Sequence, residues 1–148
     1  MVLVGLGNPL MSDEGIGVRL AAEMESRRLA PPGVDVLDLG TAGLGVLHAI
    51  RGQQKAVFVD CALMGSEPGT MRRFTPEEVV SQKVRTGLSL HEGDLLQTLE
   101  LARRLGECPG EIVIFGVEPA SLAPGLELSP RLQSRLDQYL EILAEEFV

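Results

Sequence analysis

Apolar and polar positions alternate along this chain in a way that predicts strands and helices following one another from end to end. Runs at residues 56–59 and 112–117 are apolar throughout, which is typical of parallel strands covered on both faces. Arg72 and Arg73 indicate an exposed edge strand. The predicted strands cover residues 2–4, 34–39, 56–59, 69–74 and 112–117.

Capping residues mark the predicted helix starts. Ser12 precedes a helix with Ile16, Leu20 and Met24 on one face. Two capping boxes follow, Thr75-Pro76-Glu77-Glu78 and Ser89-Leu90-His91-Glu92, and Ser129-Pro130 begins the last helix. The other apolar positions expected to face the core are Leu95, Leu99, Ala102, Leu132, Leu136, Tyr139, Leu140 and Leu143. We therefore predict one domain over residues 1–148, a three-layer α/β fold with helices on both faces of a mixed, mainly parallel five-stranded sheet.

Composition narrows the classes of partner. The net charge of −8 and the pI near 4.7 would repel a phosphate backbone, and 3% aromatic residues provide no stacking platform for single strands. No apolar run approaches the ~20 residues that a bilayer span requires. Cys61 and Cys108 form neither a C-x-x-C pair nor a disulfide framework. We predict a cytoplasmic protein with reduced thiols and no nucleic-acid or membrane partner.

Several acids follow the predicted strands at their carboxyl ends. Ligands of open α/β sheets bind outside those ends, an edge that we call the carboxyl edge. The polar side chains expected there are Asn8, Asp13, Glu14, Asp38, Asp60 and Glu118.

Asp60 and Glu14 are the first two candidates for metal ligands. Asp60 directly follows a buried apolar run, where a charge is costly unless it is paired, metal-bound or hydrogen-bonded to backbone amides. Glu14 falls in the first turn of its helix, where the helix dipole favours an acid in any protein. Gly15 and Gly17 weaken that turn by about 1 kcal/mol each relative to Ala, which indicates that the backbone must approach another group closely.

His91 is the third candidate. As the second helical residue after Ser89, it would lie at a helix amino end on the carboxyl edge, where the dipole favours neutral imidazole. A surface histidine at a loop-to-helix junction is the alternative. Two carboxylates and one imidazole leave coordination positions open, as in catalytic sites, and mixed nitrogen and oxygen ligands suit nickel or zinc.

Five blocks together resemble the hydrogenase maturation proteases. Gly-Leu-Gly-Asn-Pro-Leu-Met-Ser-Asp-Glu-Gly-Ile-Gly at residues 5–17 is the long, distinctive one. The others, in the family's order and spacing, are Asp38-Leu-Gly-Thr-Ala-Gly43, Val59-Asp60, Ser89-Leu-His91 and Gly116-Val-Glu-Pro119.

The resemblance implies an endopeptidase that trims the carboxy-terminal extension from a nickel–iron hydrogenase large-subunit precursor after nickel insertion. The family's metal-binding residues fall on Glu14, Asp60 and His91, and Asp38 matches a further functional acid, here the candidate catalytic residue. Nickel is expected to come with the substrate, and zinc or another divalent ion is an alternative in the isolated protein. A monomer is expected.

Three other readings compete. One is a nickel-dependent checkpoint protein that binds the same subunit without cutting it. Another is the peptidyl-tRNA hydrolases, which resemble this chain in Gly-Leu-Gly-Asn-Pro but need a nearby His-Asn pair and a basic surface that it lacks. The third is a dinucleotide-binding domain, disfavoured because Leu10 replaces the third glycine of the motif and Pro9 has no amide for phosphate.

Overall fold

The computed structural model describes residues 1–41, 43–90 and 94–148. The strands are β1 (Val2–Leu6), β2 (Asp35–Gly40), β3 (Lys55–Leu63), β4 (Met71–Phe74), β5 (Ser89–Leu90) and β6 (Glu111–Val117). The helices are α1 (Ile16–Ser26), α2 (Gly43–Ile50), α3 (Pro76–Thr86), α4 (Leu95–Arg104), α5 (Pro130–Gln133) and α6 (Leu136–Glu145). A 3₁₀ turn over Ser12–Gly15 precedes α1. None of the helices in the described ranges has the length and apolar character that a membrane span requires.

The main sheet has the strand order β2-β1-β3-β6-β4. The first four strands are parallel, and β4 pairs antiparallel with β6 at one edge. The predicted mixed, mainly parallel sheet is therefore confirmed. A sixth strand was not predicted: the two residues of β5 pair antiparallel with the end of β3.

Helices cover both faces of the sheet. One core cluster joins alternate residues of β1 and β3 to α2 and α4, and the other joins the remaining alternate residues to α1 and α6. The apolar positions predicted to face the core in α1, α4, α5 and α6 are buried. On the second face, the buried hydroxyl of Tyr139 donates a hydrogen bond to the carbonyl of Gly69.

Helix α1 lies unusually close to the sheet. A Cβ on Gly17 would stand 2.2 Å from the carbonyl oxygen of Val59 and 2.3 Å from that of Leu6. Real Cβ atoms do not approach backbone this closely, so only glycine fits. The close backbone approach inferred from the glycines after Glu14 is confirmed.

Some predicted helix boundaries were right and others wrong. The Thr75 capping box is present, with reciprocal hydrogen bonds between Thr75 and Glu78. Ser12, by contrast, is not the N-cap of α1, which is Gly15; its φ is 52°, and its hydroxyl donates to the carbonyl of Ala123 at 2.6 Å. The last predicted helix is divided into α5 and α6, although Ser129 caps its start as expected.

The second predicted capping box was also wrong. Ser89 and Leu90 form β5, and α4 begins only at Leu95. The reason is tertiary pairing, since the backbone of these two residues joins Leu63 and Ala62. His91 and Glu92, the rest of that box, lie outside the described residues.

Candidate active site

Asp60 lies in the centre of the sheet, level with the end of β1. Gly5 of β1 pairs with Val59, so Asp60 is one residue further toward the carboxyl edge. Its side chain is 0% exposed. The sequence prediction ended the strand at Asp60, but β3 continues to Leu63 because its last residues pair with β5.

Glu14 is brought next to Asp60 by the turn that follows β1. Gly7, with a φ of 127°, lies between the main-chain carbonyl of Glu14 and the side chain of Asp60. A Cβ on Gly7 would stand 2.0 Å from the carbonyl oxygen of Glu14 and 3.6 Å from Oδ1 of Asp60. Any larger residue would therefore displace Glu14. The main chain of Glu14 thus lies near the Asp60 carboxylate, and the charges of both acids act on neighbouring Cys61.

Cys61, which the sequence reading treated only as a reduced thiol, is buried at the same place. Burial raises the pKa of the Cys61 thiol, and the charges of Asp60 and Glu14 raise it further. A raised pKa disfavours the thiolate form, which is the nucleophilic one. Its position directly after Asp60 in a buried run was the available sequence signal.

Asp38 lies further away, on the edge strand β2. It pairs with Gly5, which pairs with Val59 on its other side. Two strand spacings of about 4.8 Å separate the backbones of Asp38 and Val59 by roughly 10 Å. The exposed Asp38 side chain accepts a hydrogen bond from the amide of Gly40 at 3.1 Å. The carbonyl of Gly40 in turn accepts the amide of Gly7 at 2.9 Å, which links Asp38 to the Glu14 and Asp60 pair.

His91, the third predicted ligand, lies outside the described residues, as does Ala42. Within residues 1–41, 43–90 and 94–148, no three His, Cys, Asp or Glu side chains form a group that could hold a metal ion. The described part of the site is thus the carboxylate pair Glu14 and Asp60, with Leu90 of β5 as the last described residue before His91.

Asp13 and Glu118, two more acids of the predicted edge, serve as anchors for the backbone. The buried carboxylate of Asp13 accepts the amides of Ala120 and Ser121 at 2.9 Å each and the amide of Ser129 at 2.8 Å. Glu118 accepts the amides of Met64 and Ser66 at 2.8 and 3.0 Å. The sequence placed both acids at the carboxyl edge but gave no role for them, because hydrogen bonds between segments so distant in the chain leave no local signal.

A small cavity of about 180 Å³ opens beside the carboxylate pair. The described residues that line it are Glu14, Cys61, Leu63, Ser89, Leu90 and Leu122. A larger cavity of about 590 Å³ lies between α3 and α4, but none of Glu14, Asp38 and Asp60 lines it. Its charged side chains pair with one another, as Arg103 does with Glu77 at 2.9 Å. The smaller cavity is therefore the one that adjoins the candidate chemistry.

Comparison with known proteins agrees with the fold and with the sequence blocks. The family model described as "Hydrogenase maturation protease" matches residues 18–146. The chain is 33% identical over 142 residues to the hydrogenase 2 maturation protease of Escherichia coli K12, covering 95% of this chain and 86% of that protein. It is 32% identical over 146 residues to the hydrogenase expression/formation protein HupD of Thiocapsa roseopersicina, covering 98% of this chain and 66% of HupD.

Solved structures extend the agreement to three dimensions. The hydrogenase maturating endopeptidase HybD from E. coli superposes with a TM-score of 0.82 at 33% identity, covering 96% of this chain and 88% of that chain. The [NiFe] hydrogenase maturation protease HybD from Thermococcus kodakarensis shares the fold, with a TM-score of 0.78 at 23% identity and coverage of 97% and 96%. Fold and site define a three-layer α/β protein with acidic residues at the carboxyl edge of its sheet. The chain belongs to the hydrogenase maturation protease family, a family of endopeptidases.

Proposed function

We propose that this protein removes the carboxy-terminal extension of a nickel–iron hydrogenase large-subunit precursor after nickel has been inserted. Family membership supports the class of substrate. The observation that carries the proposal is the wholly buried carboxylate of Asp60, whose Oδ1 lies beside Gly7 and near the main-chain carbonyl of Glu14. This pair lies where an α/β sheet binds its ligands.

The acids at this place fit a divalent cation. Asp60, Glu14, Asp13 and Glu118 all lie close enough to Cys61 for their charges to raise the pKa of its thiol. Two carboxylates and one imidazole are a donor set that suits a divalent ion such as nickel or zinc. We assign Glu14 and Asp60 as ligands, with His91 as the proposed third.

Nickel is here part of the substrate, and zinc or another divalent ion is the alternative in the isolated protein. When bound, the ion would supply a Lewis acid that polarises the scissile carbonyl or acidifies water. The chain itself orients the substrate through Glu14 and Asp60. Asp38 accepts the proton of the attacking water or orients it; the hydroxyl goes to the carbonyl carbon, and the proton reaches the departing amine. In this proposal the protein acts as a cytoplasmic monomer without nucleic-acid or membrane partners.

Intact-protein mass spectrometry tests the proposal directly. Nickel-loaded and nickel-free forms of a large-subunit precursor are incubated with the wild-type protein and with Asp60→Asn. We expect the nickel-loaded precursor alone to lose the mass of its extension, and only with wild type. Binding of the loaded precursor without any loss of mass would favour the checkpoint protein that does not cut.

A further inference from the structure

Helix α4 carries two adjoining cavities on its outer side. The larger one, of about 590 Å³, lies between α3 and α4, and a second one of about 300 Å³ lies between α4 and the start of α2. Gln97 and Leu101 line both of them, so the two cavities form one concave surface on either side of α4, which we call the α4 surface. Both volumes lie in the range of about 300–1,000 Å³ that is typical of binding sites.

Aliphatic side chains from three helices are exposed on the α4 surface. Leu44 of α2 is 78% exposed, Val80 of α3 is 52% exposed and Leu101 of α4 is 42% exposed, and all three line the cavities. One helical turn further along, Val84 on α3 and Leu105 just after α4 are exposed as well. Single exposed apolar side chains are normal on a protein surface, but a cluster of them marks an interaction site.

The charge of these three helices differs from that of the whole chain. The chain has 21 acids against 13 Lys and Arg, whereas α3 has two of each, α4 has one acid and two Arg, and α2 has none. Around the larger cavity the charges are paired, as Arg103 is with Glu77 at 2.9 Å and Arg104 with Glu100 at 3.6 Å. The excess negative charge of the protein therefore lies elsewhere, and it does not oppose an apolar partner at the α4 surface.

The α4 surface begins beside the carboxyl edge. Gly43 lines the smaller cavity, and its amide donates a hydrogen bond to the carbonyl of Thr41 at 3.0 Å. The preceding residue, Gly40, binds the amide of Gly7 next to Asp60. From this edge α4 leads over its ten residues, about 15 Å, toward the opposite edge of the sheet, where β6 begins. A protein bound to the α4 surface therefore adjoins the candidate active site.

We propose that the α4 surface docks the hydrogenase large-subunit precursor through an apolar patch of that subunit, while the scissile bond lies at the carboxyl edge. This inference rests on the proposed function, which supplies the precursor as the partner. Continuity with the carboxyl edge favours the precursor over a second copy of this chain, because a second copy at the α4 surface would obstruct the approach to that edge.

Leu101→Asp tests the docking surface, because it introduces a charge where the two cavities meet. The Kd for nickel-loaded precursor is measured by biolayer interferometry, and kcat and KM are measured from the mass change. Kd and KM should rise at least about tenfold while kcat stays near that of wild type, since central apolar contacts of an interface have effects of this size. Leu29→Asp is the matched control: Leu29 is 40% exposed but follows α1 on the other face of the sheet, and its Kd and KM should equal those of wild type.

If Leu101→Asp does not fold, Val80→Asp replaces it with the same expectation. Unchanged Kd and KM in the folded variant would overturn the docking surface while proteolysis by wild type stands. A wild-type dimer in analytical ultracentrifugation that Leu101→Asp dissociates would also overturn it, in favour of a second copy of this chain. If wild type binds the precursor, Leu101→Asp binds it at least about tenfold more weakly and neither cuts it, the docking surface stands and the proposed proteolysis falls.

Discussion

The acids at the carboxyl edge carry the same charge but differ in what surrounds them. Asp13 and Glu118 are saturated by backbone amides, and Asp60 is buried beside Glu14. Asp38 is exposed and accepts one hydrogen bond, from the amide of Gly40 in its own turn. The environment of each carboxylate, rather than its presence at the edge, assigns its role.

Asp38 can be tested with two substitutions. Asp38→Asn keeps an oxygen for the amide of Gly40 but removes the base, whereas Asp38→Ala removes both. If Asp38 takes the proton, both variants should lower kcat about 10²–10⁴-fold without loss of precursor binding. Asp35→Asn, an exposed acid at the other end of β2, should behave as wild type. If Asp38→Asn has a near-normal kcat and only Asp38→Ala has a lowered kcat, Asp38 is instead a positioning residue that acts through Gly40.

Asp13→Asn should destabilise the protein without touching the chemistry directly. The Asn side chain offers one acceptor where the carboxylate offers two oxygens to three amides. Losing these charge-assisted bonds in a buried place should cost roughly 2–4 kcal/mol. Urea denaturation should show a lower midpoint with an unchanged slope. Asp137→Asn, at an acid that is 83% exposed, is the control and should change the midpoint little. Equal midpoints for Asp13→Asn and Asp137→Asn would contradict the anchoring role of Asp13.

At the scale of elements, two similar sequence signals had different outcomes. The Thr75 and Ser89 boxes have the same local pattern, and only the first forms a helix start. Strands, helix faces and the edge that gathers the acids could be predicted, because they follow from hydrophobic periodicity. The pairing of β5 with Leu63 could not, because tertiary contacts override local propensity. For the same reason the cavity with Leu122 was not predicted.

Gly17→Ala should destabilise the protein by disturbing the packing of α1 against the sheet. The added methyl meets backbone oxygens of Val59 and Leu6, which cannot rotate away. Overpacking of this kind costs about 1–3 kcal/mol, and the expectation here is the upper end of that range. Gly43→Ala is the matched control at the start of α2, where a Cβ meets nothing within 4 Å. It should be neutral or stabilising by up to about 1 kcal/mol in urea denaturation. Similar losses in both variants would contradict the close-packing account.

At the scale of the whole molecule, the last residues tie the chain's end back to its sheet. Glu146 is 13% exposed and accepts hydrogen bonds from Arg73 of β4 at 2.7 and 2.9 Å. Lys55 at the start of β3 contacts the same carboxylate at 3.1 Å. The Arg73 hydrogen bond, and then that of Lys55, lower the pKa of Glu146 against the opposing effect of its burial.

A lowered pKa in the folded state stabilises the fold above the ordinary pKa of a glutamate, about 4.3, and this stabilisation is lost as pH falls through the folded value. Glu146→Gln should therefore lower the free energy of unfolding by roughly 1–2 kcal/mol at pH 7. The difference from wild type should shrink below about pH 4. The measurement is urea denaturation of each variant and wild type at pH 7 and pH 3.5. Glu145→Gln, at the exposed neighbouring acid, should differ from wild type equally little in free energy of unfolding at both pH values. A difference that stays constant with pH would exclude the ion pairs as its cause.

The buried Tyr139 gives this protein a natural spectroscopic probe. The chain has no tryptophan and one tyrosine, and the hydroxyl of that tyrosine is bound to the carbonyl of Gly69. Its ultraviolet fluorescence therefore reports a single event, the separation of α6 from the segment before β4. In a mixture with a precursor that contains tryptophan, all indole emission comes from the precursor. Encounter and release of the two proteins can thus be followed by emission without attaching a dye to either one.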